Sequence, residues 1–331
     1  MAAAFQRARL PHVIIHTGQH YDDDMSARFF RELQLPLPDL NLCVQGGGHA
    51  EPTAKMLERL ARVFEEIRPT AVVVYGDTTS TLAGALAGAQ CGVPVAHVES
   101  GLRSYLRNQP EERNRVVADH LATWLFAPTR QAVENLYNEG LRSGVHLVGD
   151  PMHDALSHYW PYVKQLPPAA GAGNFVFVTV HRAENTDDPA RLRQLTTLLE
   201  SIRRPLVFPL HPRTREALER ERLFSRWDRM KHLILLEPVG YLETLRLISQ
   251  AFAVLTDSGG VQREAVWLGT PCLTLRSVTE WGDTVAKGAN TLVDLSATKV
   301  RKALAKARRR PVSLARRTGA SEKIAKILRG G

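Results

Sequence analysis

The sequence predicts an α/β fold with two Rossmann-like parallel-sheet domains, and two observations lead to that prediction. Short apolar runs recur about every 25 residues, and each is bounded by turn-forming residues, as buried parallel strands are. Amphipathic helical stretches such as AEPTAKMLERLARVFEEI lie between the runs, with apolar positions three and four residues apart. This alternation of strands and helices is typical of a doubly wound parallel sheet.

The first half of the chain contains six strand-like runs: HVIIH, NLCV, AVVVY, PVAHV, TWLFA and VHLV. The opening segment MAAAFQRARL is typical of the end of a helix. HVIIH is therefore interpreted as a second strand, and the first strand of this sheet as missing. Together these elements predict an N-terminal α/β domain over residues 1–150.

A helix and the linker LPPAAGAG make residues 149–173 a candidate domain boundary. Strand-like runs then recur, and they are FVFVTV, PLVFPL, HLILL, AFAVLT, PCLTL and TLVD. These runs predict a C-terminal α/β domain over residues 151–312. Residues 313–331 are predicted to form a basic helix that packs back on the first domain. Two such domains with a cleft between them are the expected architecture.

The composition excludes several classes of protein. The formal net charge is +9 for 331 residues, but twelve Lys or Arg and a single Glu lie between Lys299 and Arg329. The rest of the chain therefore carries a formal charge of −2, so a basic nucleic-acid-binding body is not expected. No apolar run approaches the roughly 20 residues of a membrane helix, and the start lacks a signal-peptide pattern. Cys43, Cys91 and Cys272 are too few and too far apart for a disulfide framework or a zinc site, which indicates a cytoplasmic protein.

Polar residues follow four of the strand-like runs, and they are Asp77, Glu99, His181 and Asp257. In open α/β sheets, ligands bind beyond the carboxyl ends of the strands, so these positions predict an active site. Asp77, in GDTTST, is also a candidate N-cap of the next helix. Glu99 is not a preferred cap and is interpreted as a site residue. Arg103, close behind it, is expected to pair with Glu99 or to bind a phosphate.

Two further blocks carry charge at the same edges of the predicted sheets. In NQPEERNR, Glu111 follows Pro110, where it is either part of a helix start or another carboxylate of the site. His181 and Arg182 in VTVHRAEN are suited to bind a phosphate beside the amides of the next helix. His211 in PLHPRTRE shows the same pattern of a strand-end histidine more weakly.

The segment TDSGGVQREA is the strongest local motif. Ser258, Gly259 and Gly260 open a helix directly after a strand, where glycines let backbone amides approach an anion. Glu264, about one turn later, is placed to accept hydrogen bonds from a ribose diol. No G-x-G-x-x-G follows a strand, and neither a nicotinamide cofactor nor a metal is expected. A diphosphate cradle in one half and carboxylates in the other are typical of a nucleotide-sugar enzyme.

These motifs resemble the non-hydrolysing UDP-N-acetylglucosamine 2-epimerases. The resemblance runs from HTGQHYD to TLVD through GDTTSTLAGALA, PVAHVESGLRS, PEERNR, VTVHRAENTDDP, LHPRTRE, PVGYLE, LTDSGGVQREA and TLRSVTEWGDTV. It implies a glycosyltransferase-B-like fold with the site in the interdomain cleft, no cofactor, and a homodimer. The family's opening strand and its G-T-R-P-E type loop have no counterpart in this sequence.

The resemblance also implies the reaction. UDP is eliminated from C1 as the C2 proton is removed, and UDP then adds back to 2-acetamidoglucal with C2 protonated on the opposite face. Asp77, Glu99 and Glu111 match the family's catalytic carboxylates, and His181 matches the histidine beside the UDP phosphates. Ser258, Gly259 and Gly260 match its phosphate loop, and Glu264 matches its ribose ligand.

The substrate is less defined than the reaction. TEWGDTV replaces the T-E-R-P pattern of many bacterial members, and the T-E-W variety includes enzymes for related sugars such as 2,3-diacetamido uronic acids. Gln19 and His211 are candidates for a second, activating UDP-sugar site. A hydrolysing epimerase, a glycosyltransferase of similar architecture and a UDP-sugar-binding protein without turnover remain alternatives.

Overall fold

The computed structural model describes residues 1–18, 30–44, 46, 48, 50–169, 171–312, 314 and 319–330. Contacts between residues divide the chain into two units. The first consists of Met1–Asp154 together with Thr318–Gly331, and the second of Ala155–Arg317. Both units are built on parallel strands, which confirms the α/β class predicted from the sequence.

The described part of the first unit contains six strands in two separate parallel sheets. The strands are β1 (Ile15–His16), β2 (Leu40–Asn41), β3 (Val72–Tyr75), β4 (Val95–Val98), β5 (Trp124–Ala127) and β6 (Val145–Leu147). β1 pairs with β2, and the other four form a sheet of order β3-β4-β5-β6. In that sheet Tyr75 lies opposite Val98, so the carboxyl ends of β3 and β4 are level with each other.

Helices connect these strands. They are α1 (Ala2–Arg7), α2 (Ala50–Ile67), α3 (Thr79–Gln90), α4 (Pro110–Leu121), α5 (Arg130–Asn138) and α6 (Pro151–Val163), within which the division between the units falls. Local sequence explains their starts. Thr78 and Thr81 form a capping box at the start of α3, and Pro110 occupies the first turn of α4.

A cavity of about 860 Å³ separates the two sheets of the first unit. Ile15 of β1 and Val73 of β3 both line it, as do Phe5 of α1 and Phe64 of α2. Among the described residues no strand lies between β1 and β3.

Among the residues that the structure describes, the second unit contains one six-stranded parallel sheet of order β12-β11-β10-β7-β8-β9. Its strands are β7 (Val176–Thr179), β8 (Leu206–Pro209), β9 (Leu233–Leu236), β10 (Ala253–Thr256), β11 (Cys272–Thr274) and β12 (Asn290–Leu292). Its helices are α7 (Ala183–Thr186), α8 (Pro189–Ser201), α9 (Pro212–Arg220), α10 (Phe224–Asp228), α11 (Tyr241–Gln250), α12 (Gly259–Trp267), α13 (Gly282–Ala286) and α14 (Ala297–Lys306). Buried aliphatic side chains on both faces of the sheet form its core, as expected for an all-parallel sheet.

The last helix, α15 (Ala320–Gly330), belongs to the first unit. Ala325 is buried beside Ala4 and Phe5, and the Asp154 carboxylate accepts hydrogen bonds from the Gly319 and Ser321 amides at the start of the helix. This basic helix is therefore amphipathic, and its apolar face packs within the first unit. In the part of the chain that the structure describes, no helix has the length and apolar character needed to cross a membrane.

Candidate active site

Asp77 lies in the turn between β3 and α3. Gly76 supplies the positive φ of 63° that this turn requires. The side chain of Thr78, not that of Asp77, caps α3, so the alternative interpretation of Asp77 as the N-cap does not hold. The Asp77 carboxylate instead accepts a hydrogen bond from Arg115, and its backbone carbonyl accepts one from Asn114 at 2.9 Å.

Glu99 lies in the neighbouring turn, after β4, with a left-handed φ of 70°. Such a conformation costs a non-glycine residue about 1–3 kcal/mol and is found at functional sites. A Cβ atom placed on Gly76 would lie 3.9 Å from Glu99 Oε2. The Glu99 carboxylate therefore lies against the backbone that carries Asp77, and the two strand-end carboxylates are brought together.

Glu111 and Glu112 occupy the first turn of α4 and have different environments. Glu112 is buried and accepts hydrogen bonds from the Ser104 and Tyr105 amides at 2.9 and 2.7 Å. Glu111 is half-buried, and it lies three and four residues before Asn114 and Arg115, which both contact Asp77. Because side chains at this spacing share a helix face, Glu111 lies on the face of α4 that is directed at Asp77.

The expectation that Arg103 pairs with Glu99 or binds a phosphate is wrong. The residue is 4% exposed, and its guanidinium forms a bidentate pair with Glu139 at 2.7 and 2.6 Å. It also contacts Asp119 at 2.7 Å and donates to the Leu102 carbonyl. With these donors engaged by Glu139, Asp119 and the Leu102 carbonyl, Arg103 holds the loop after β4.

In the second unit, Asp257 organises the turn after β7. It is fully buried at the end of β10, and its carboxylate accepts hydrogen bonds from the backbone amides of His181 and Arg182 at 3.1–3.2 Å. The Asn185 side chain donates to the same carboxylate at 3.0 Å. Asp257 thus fixes the backbone that presents His181 and Arg182 and is not itself exposed.

His181 and His211 lie side by side at the ends of β7 and β8. Their ring centroids are 5.4 Å apart. The His211 Nδ1 atom accepts a hydrogen bond from the Arg213 amide at 3.1 Å, so the ring helps to cap α9 and carries its proton on Nε2. The imidazole of His181 is 38% exposed. His211 is therefore a neighbour of the predicted phosphate-binding group, while Gln19, the other candidate for an activating site, lies outside the described residues.

The start of α12 supplies a helix N-terminus next to these residues in the second unit. The Ser258 side chain caps the helix by accepting from the Val261 amide, and Gly259 and Gly260 form its first turn. A Cβ atom on Gly259 would collide with the Glu280 carboxylate. Glu264, later in the same helix, is 4% exposed. A side chain at residue 259 would therefore displace the Glu280 carboxylate, which approaches the glycine backbone closely.

Glu280 and Trp281 of the T-E-W block have separate roles. Glu280 pairs with Arg276 at 2.8 Å and lies 3.9 Å from Arg182, so the block reaches the predicted phosphate-binding residues. Trp281 is 3% exposed and packs on the Arg263 guanidinium, 4.4 Å from the guanidinium carbon to the ring centroid. The tryptophan therefore anchors the block, and Glu280 is its member nearest the candidate ligand groups.

The sequence patterns missed three groups that the structure ties to the site. Glu280 occurs in the sequence block TEWGDTV and Arg115 in NQPEERNR, but neither pattern indicates that these residues contact the site. The Ser100 hydroxyl, next to Glu99, is buried, and no partner for it is found among the described residues. The sequence signal that could have indicated Ser100 is its position directly after a carboxylate at a strand end. Buried hydroxyls are normally hydrogen-bonded, so the absence of a partner in the described part of the chain distinguishes this one.

The arrangement supports two kinds of chemistry. Carboxylates at the ends of β3 and β4 suit proton transfer to and from a ligand. A helix start with histidine and arginine beside it suits an anion such as a diphosphate. Within the described part of the chain, no group of three or more histidine, cysteine, aspartate or glutamate residues is arranged to hold a metal ion.

Fold and side chains together define a glycosyltransferase-B-like α/β enzyme. The sequence matches the model of the UDP-N-acetylglucosamine 2-epimerase family over residues 3–329. It is 44% identical to a UDP-2,3-diacetamido-2,3-dideoxy-D-glucuronate 2-epimerase of Pseudomonas aeruginosa, over 88% of this chain and 82% of that protein. It is 42% identical to the UDP-N-acetylglucosamine 2-epimerase of Methanocaldococcus jannaschii, over 91% of this chain and 86% of that protein.

A solved structure shows the same relationship. The crystal structure of the Methanocaldococcus jannaschii UDP-GlcNAc 2-epimerase in complex with UDP-GlcNAc and UDP matches with a TM-score of 0.94 and 39% identity. The match covers 99% of this chain and 94% of the other. The chain belongs to the UDP-N-acetylglucosamine 2-epimerase family and is an isomerase, as the sequence motifs indicated.

Proposed function

We propose that the chain is a UDP-N-acetylglucosamine 2-epimerase of the non-hydrolysing type, which interconverts UDP-GlcNAc and UDP-ManNAc. The observation that carries the proposal is the family match along residues 3–329. The neighbouring carboxylates of Asp77 and Glu99 support it, because inversion at C2 needs groups that remove a proton and return it.

The reaction proceeds by elimination and re-addition. A carboxylate takes the C2 proton, the C2–H electron pair forms the C1–C2 double bond, and the C1–O bond breaks to release UDP. UDP then adds back at C1 of the 2-acetamidoglucal while C2 receives a proton on the opposite face. Asp77, Glu99 and Glu111 supply these proton transfers from the first unit.

The second unit binds the nucleotide. The amides of Gly259 and Gly260 and the guanidinium of Arg182 attract the diphosphate, since a helix start and a cation both favour negative charge. His181 stabilises the charge that develops on the leaving UDP. Glu264 accepts hydrogen bonds from the ribose.

A second candidate substrate is a related UDP-HexNAc such as a UDP-2,3-diacetamido uronic acid. The 44% identity to the Pseudomonas aeruginosa enzyme favours it. The T-E-W block supports it as well, because the T-E-W variety of the family includes enzymes for such sugars. The reaction is the same, and only the sugar differs.

Proton NMR of the purified chain with each UDP-sugar in D2O tests the proposal. We expect UDP-ManNAc deuterated at C2 from UDP-GlcNAc, in the presence of EDTA and without added nicotinamide. Turnover of the diacetamido uronic acid alone would assign the chain to that substrate. Free ManNAc with UDP would identify a hydrolysing epimerase. UDP binding by calorimetry with no change in either sugar would identify a binding protein without turnover.

The proposal includes a cytoplasmic homodimer. The resemblance to the family supports the dimer, and the three free cysteines, of which Cys43 is exposed, suit a reducing compartment. Light scattering of the purified chain during gel filtration tests the dimer directly. A mass of about 37 kDa instead of twice that value would exclude it.

A further inference from the structure

Asp119, near the end of α4, is a buried carboxylate with no direct role in the reaction proposed above. It is fully buried, and its Oδ1 atom contacts His97 Nδ1 at 2.6 Å. Its Oδ2 atom accepts a hydrogen bond from the Gly101 amide at 3.0 Å and contacts the Arg103 guanidinium at 2.7 Å. Three donors from β4 and the loop that follows it therefore converge on one side chain.

His97 extends this network to the other turn. It is fully buried in β4, and its Nε2 atom contacts the Gly76 carbonyl at 2.8 Å. A carbonyl only accepts hydrogen bonds, so Nε2 carries a proton. Nδ1 faces the Asp119 carboxylate, so the two ring nitrogens link Asp119 to the Gly76 carbonyl.

The charges around Asp119 favour its ionised form. Burial opposes ionisation, but the charges of His97 and Arg103 and the hydrogen bonds from His97 and Gly101 outweigh it and lower the pKa of the Asp119 carboxyl. His97 therefore bridges the ionised carboxylate and the Gly76 carbonyl. A charge-assisted hydrogen bond of this kind is about twice as strong as a neutral one.

Both ends of the network lie next to a proposed catalytic carboxylate. Gly76 directly precedes Asp77, and Gly101 lies two residues after Glu99. Gly76 and Gly101 have positive φ values of 63° and 78°, and a Cβ atom on Gly101 would collide with the Ala132 carbonyl. Asp119 is thus bonded directly to the turn after β4 and, through His97, to the turn after β3.

We propose that Asp119, acting through His97, is a positioning residue that holds the two carboxylate-bearing turns together for proton transfer at C2. Neither side chain touches the substrate, because both are fully buried. The proposal rests on the proposed function, since it takes the carboxylates on these turns as the proton-transfer groups. Misplacement of such groups by about 1 Å lowers a rate by roughly 100-fold.

The test compares Asp119→Asn and His97→Gln with a matched control, Asp154→Asn, in the full chain. Asp154 also accepts two backbone hydrogen bonds within the first unit, but it holds the start of α15 instead of the site turns. His97→Gln leaves the contacts of Asp119 with Gly101 and Arg103 in place and breaks only the link to Gly76. It is therefore the milder variant if Asp119→Asn fails to fold.

Three measurements are made: C2 proton exchange of UDP-GlcNAc in D2O, the Kd for UDP, and amide hydrogen exchange in residues 76–77 and 99–103. We expect Asp119→Asn to slow C2 exchange by about 100-fold and His97→Gln by at least tenfold. The Kd for UDP should stay within about twofold of wild type, because nucleotide binding is assigned to the second unit. Amide exchange should accelerate in both turns of Asp119→Asn and in neither turn of Asp154→Asn.

C2 exchange within about threefold of wild type in both variants would overturn the proposal. Equal slowing in Asp154→Asn would overturn it too, because general loss of stability would then explain the effect. If wild type shows no C2 exchange, the proposed function fails, and amide exchange decides whether Asp119 couples the turns. Faster exchange in only one turn, or in neither, would then exclude the coupling.

Discussion

Arg115 binds Asp77, and the same guanidinium binds Glu112, so one buried cation links a proposed catalytic carboxylate to a structural one. Arg115 is 3% exposed and lies on α4. A buried ion pair that loses one partner leaves an uncompensated charge, which is far more unfavourable than the loss of a surface pair. The link between Asp77 and α4 is therefore sensitive to the charge at residue 115.

The substitution Arg115→Met is expected to destabilise the first unit by about 3–5 kcal/mol. Because the chain has two units and need not unfold in one step, the measurement is amide hydrogen exchange in β3 and β4. Arg115→Lys keeps the charge but loses the planar fork, and it should destabilise less. Equal exchange rates in wild type and Arg115→Met would contradict the prediction.

The stability of the loop after β4 should depend on pH through Glu112. Burial tends to raise the pKa of this carboxyl, but the amides of Ser104 and Tyr105 and the charge of Arg115 lower it below its usual value. A carboxyl with a lowered pKa in the folded state stabilises the protein above its ordinary pKa of about 4.3. That contribution disappears as the pH falls through the lower, folded-state value.

Glu112→Gln should therefore have a lower thermal midpoint than wild type at pH 7, and the difference should narrow at about pH 3. Scanning calorimetry of both proteins across this range measures it. A difference that stays constant between the two pH values would show that ionisation of Glu112 does not contribute to stability.

The sequence predicted the elements of the fold well, because parallel strands with both faces buried are apolar throughout. FVFVTV and AFAVLT became β7 and β10, side by side in the second sheet, and AVVVY and PVAHV became β3 and β4. The carboxyl ends of paired parallel strands lie at the same edge of the sheet, so the residues that follow them lie close together. The proximity of Asp77 to Glu99, and of His181 to Asp257, follows from that rule alone.

The roles of individual charged residues could not be predicted in the same way. Arg103 looked suited to a phosphate, but its partners Asp119 and Glu139 lie 16 and 36 residues later in the chain. Nothing in the local pattern indicates such pairings, because they depend on how α4 and α5 pack beside β4. Likewise, the approach of Glu280 to Gly259 depends on the path of the T-E-W block after β11.

Cys43 and Cys272 should differ sharply in reactivity. Burial raises the pKa of the Cys272 thiol to about 12, so it is a protonated, inaccessible thiol at neutral pH. Cys43 is exposed. With iodoacetamide at pH 8, mass spectrometry should show modification of Cys43 within minutes and of Cys272 only after denaturant is added. Modification of Cys272 in the native protein would contradict its burial in β11.

Gly259→Ala tests the anion-binding start of α12. The added Cβ atom meets the Glu280 carboxylate, which must move and disturb its pairing with Arg276. We expect the Kd for UDP to rise by more than about tenfold, equivalent to 1.4 kcal/mol of binding free energy. Gly282→Ala is the control, because a Cβ atom there meets no atom within 4 Å. Equal UDP affinity in the two variants would remove the helix start from the proposed phosphate site.

Glu99 offers a test of whether backbone strain is retained for function. Its φ of 70° favours glycine, and the left-handed conformation costs other residues roughly 1–2 kcal/mol. Glu99→Gly should therefore be more stable than Glu99→Ala, by about 1 kcal/mol after allowance for the greater freedom of glycine in the unfolded chain.

Both variants should lose C2 proton exchange, because both lack the carboxylate. Thermal midpoints and NMR in D2O measure the two effects separately. Glu99→Ala as stable as Glu99→Gly would show that the turn relaxes without strain, and C2 exchange at the wild-type rate in either variant would remove Glu99 from the proton-transfer groups.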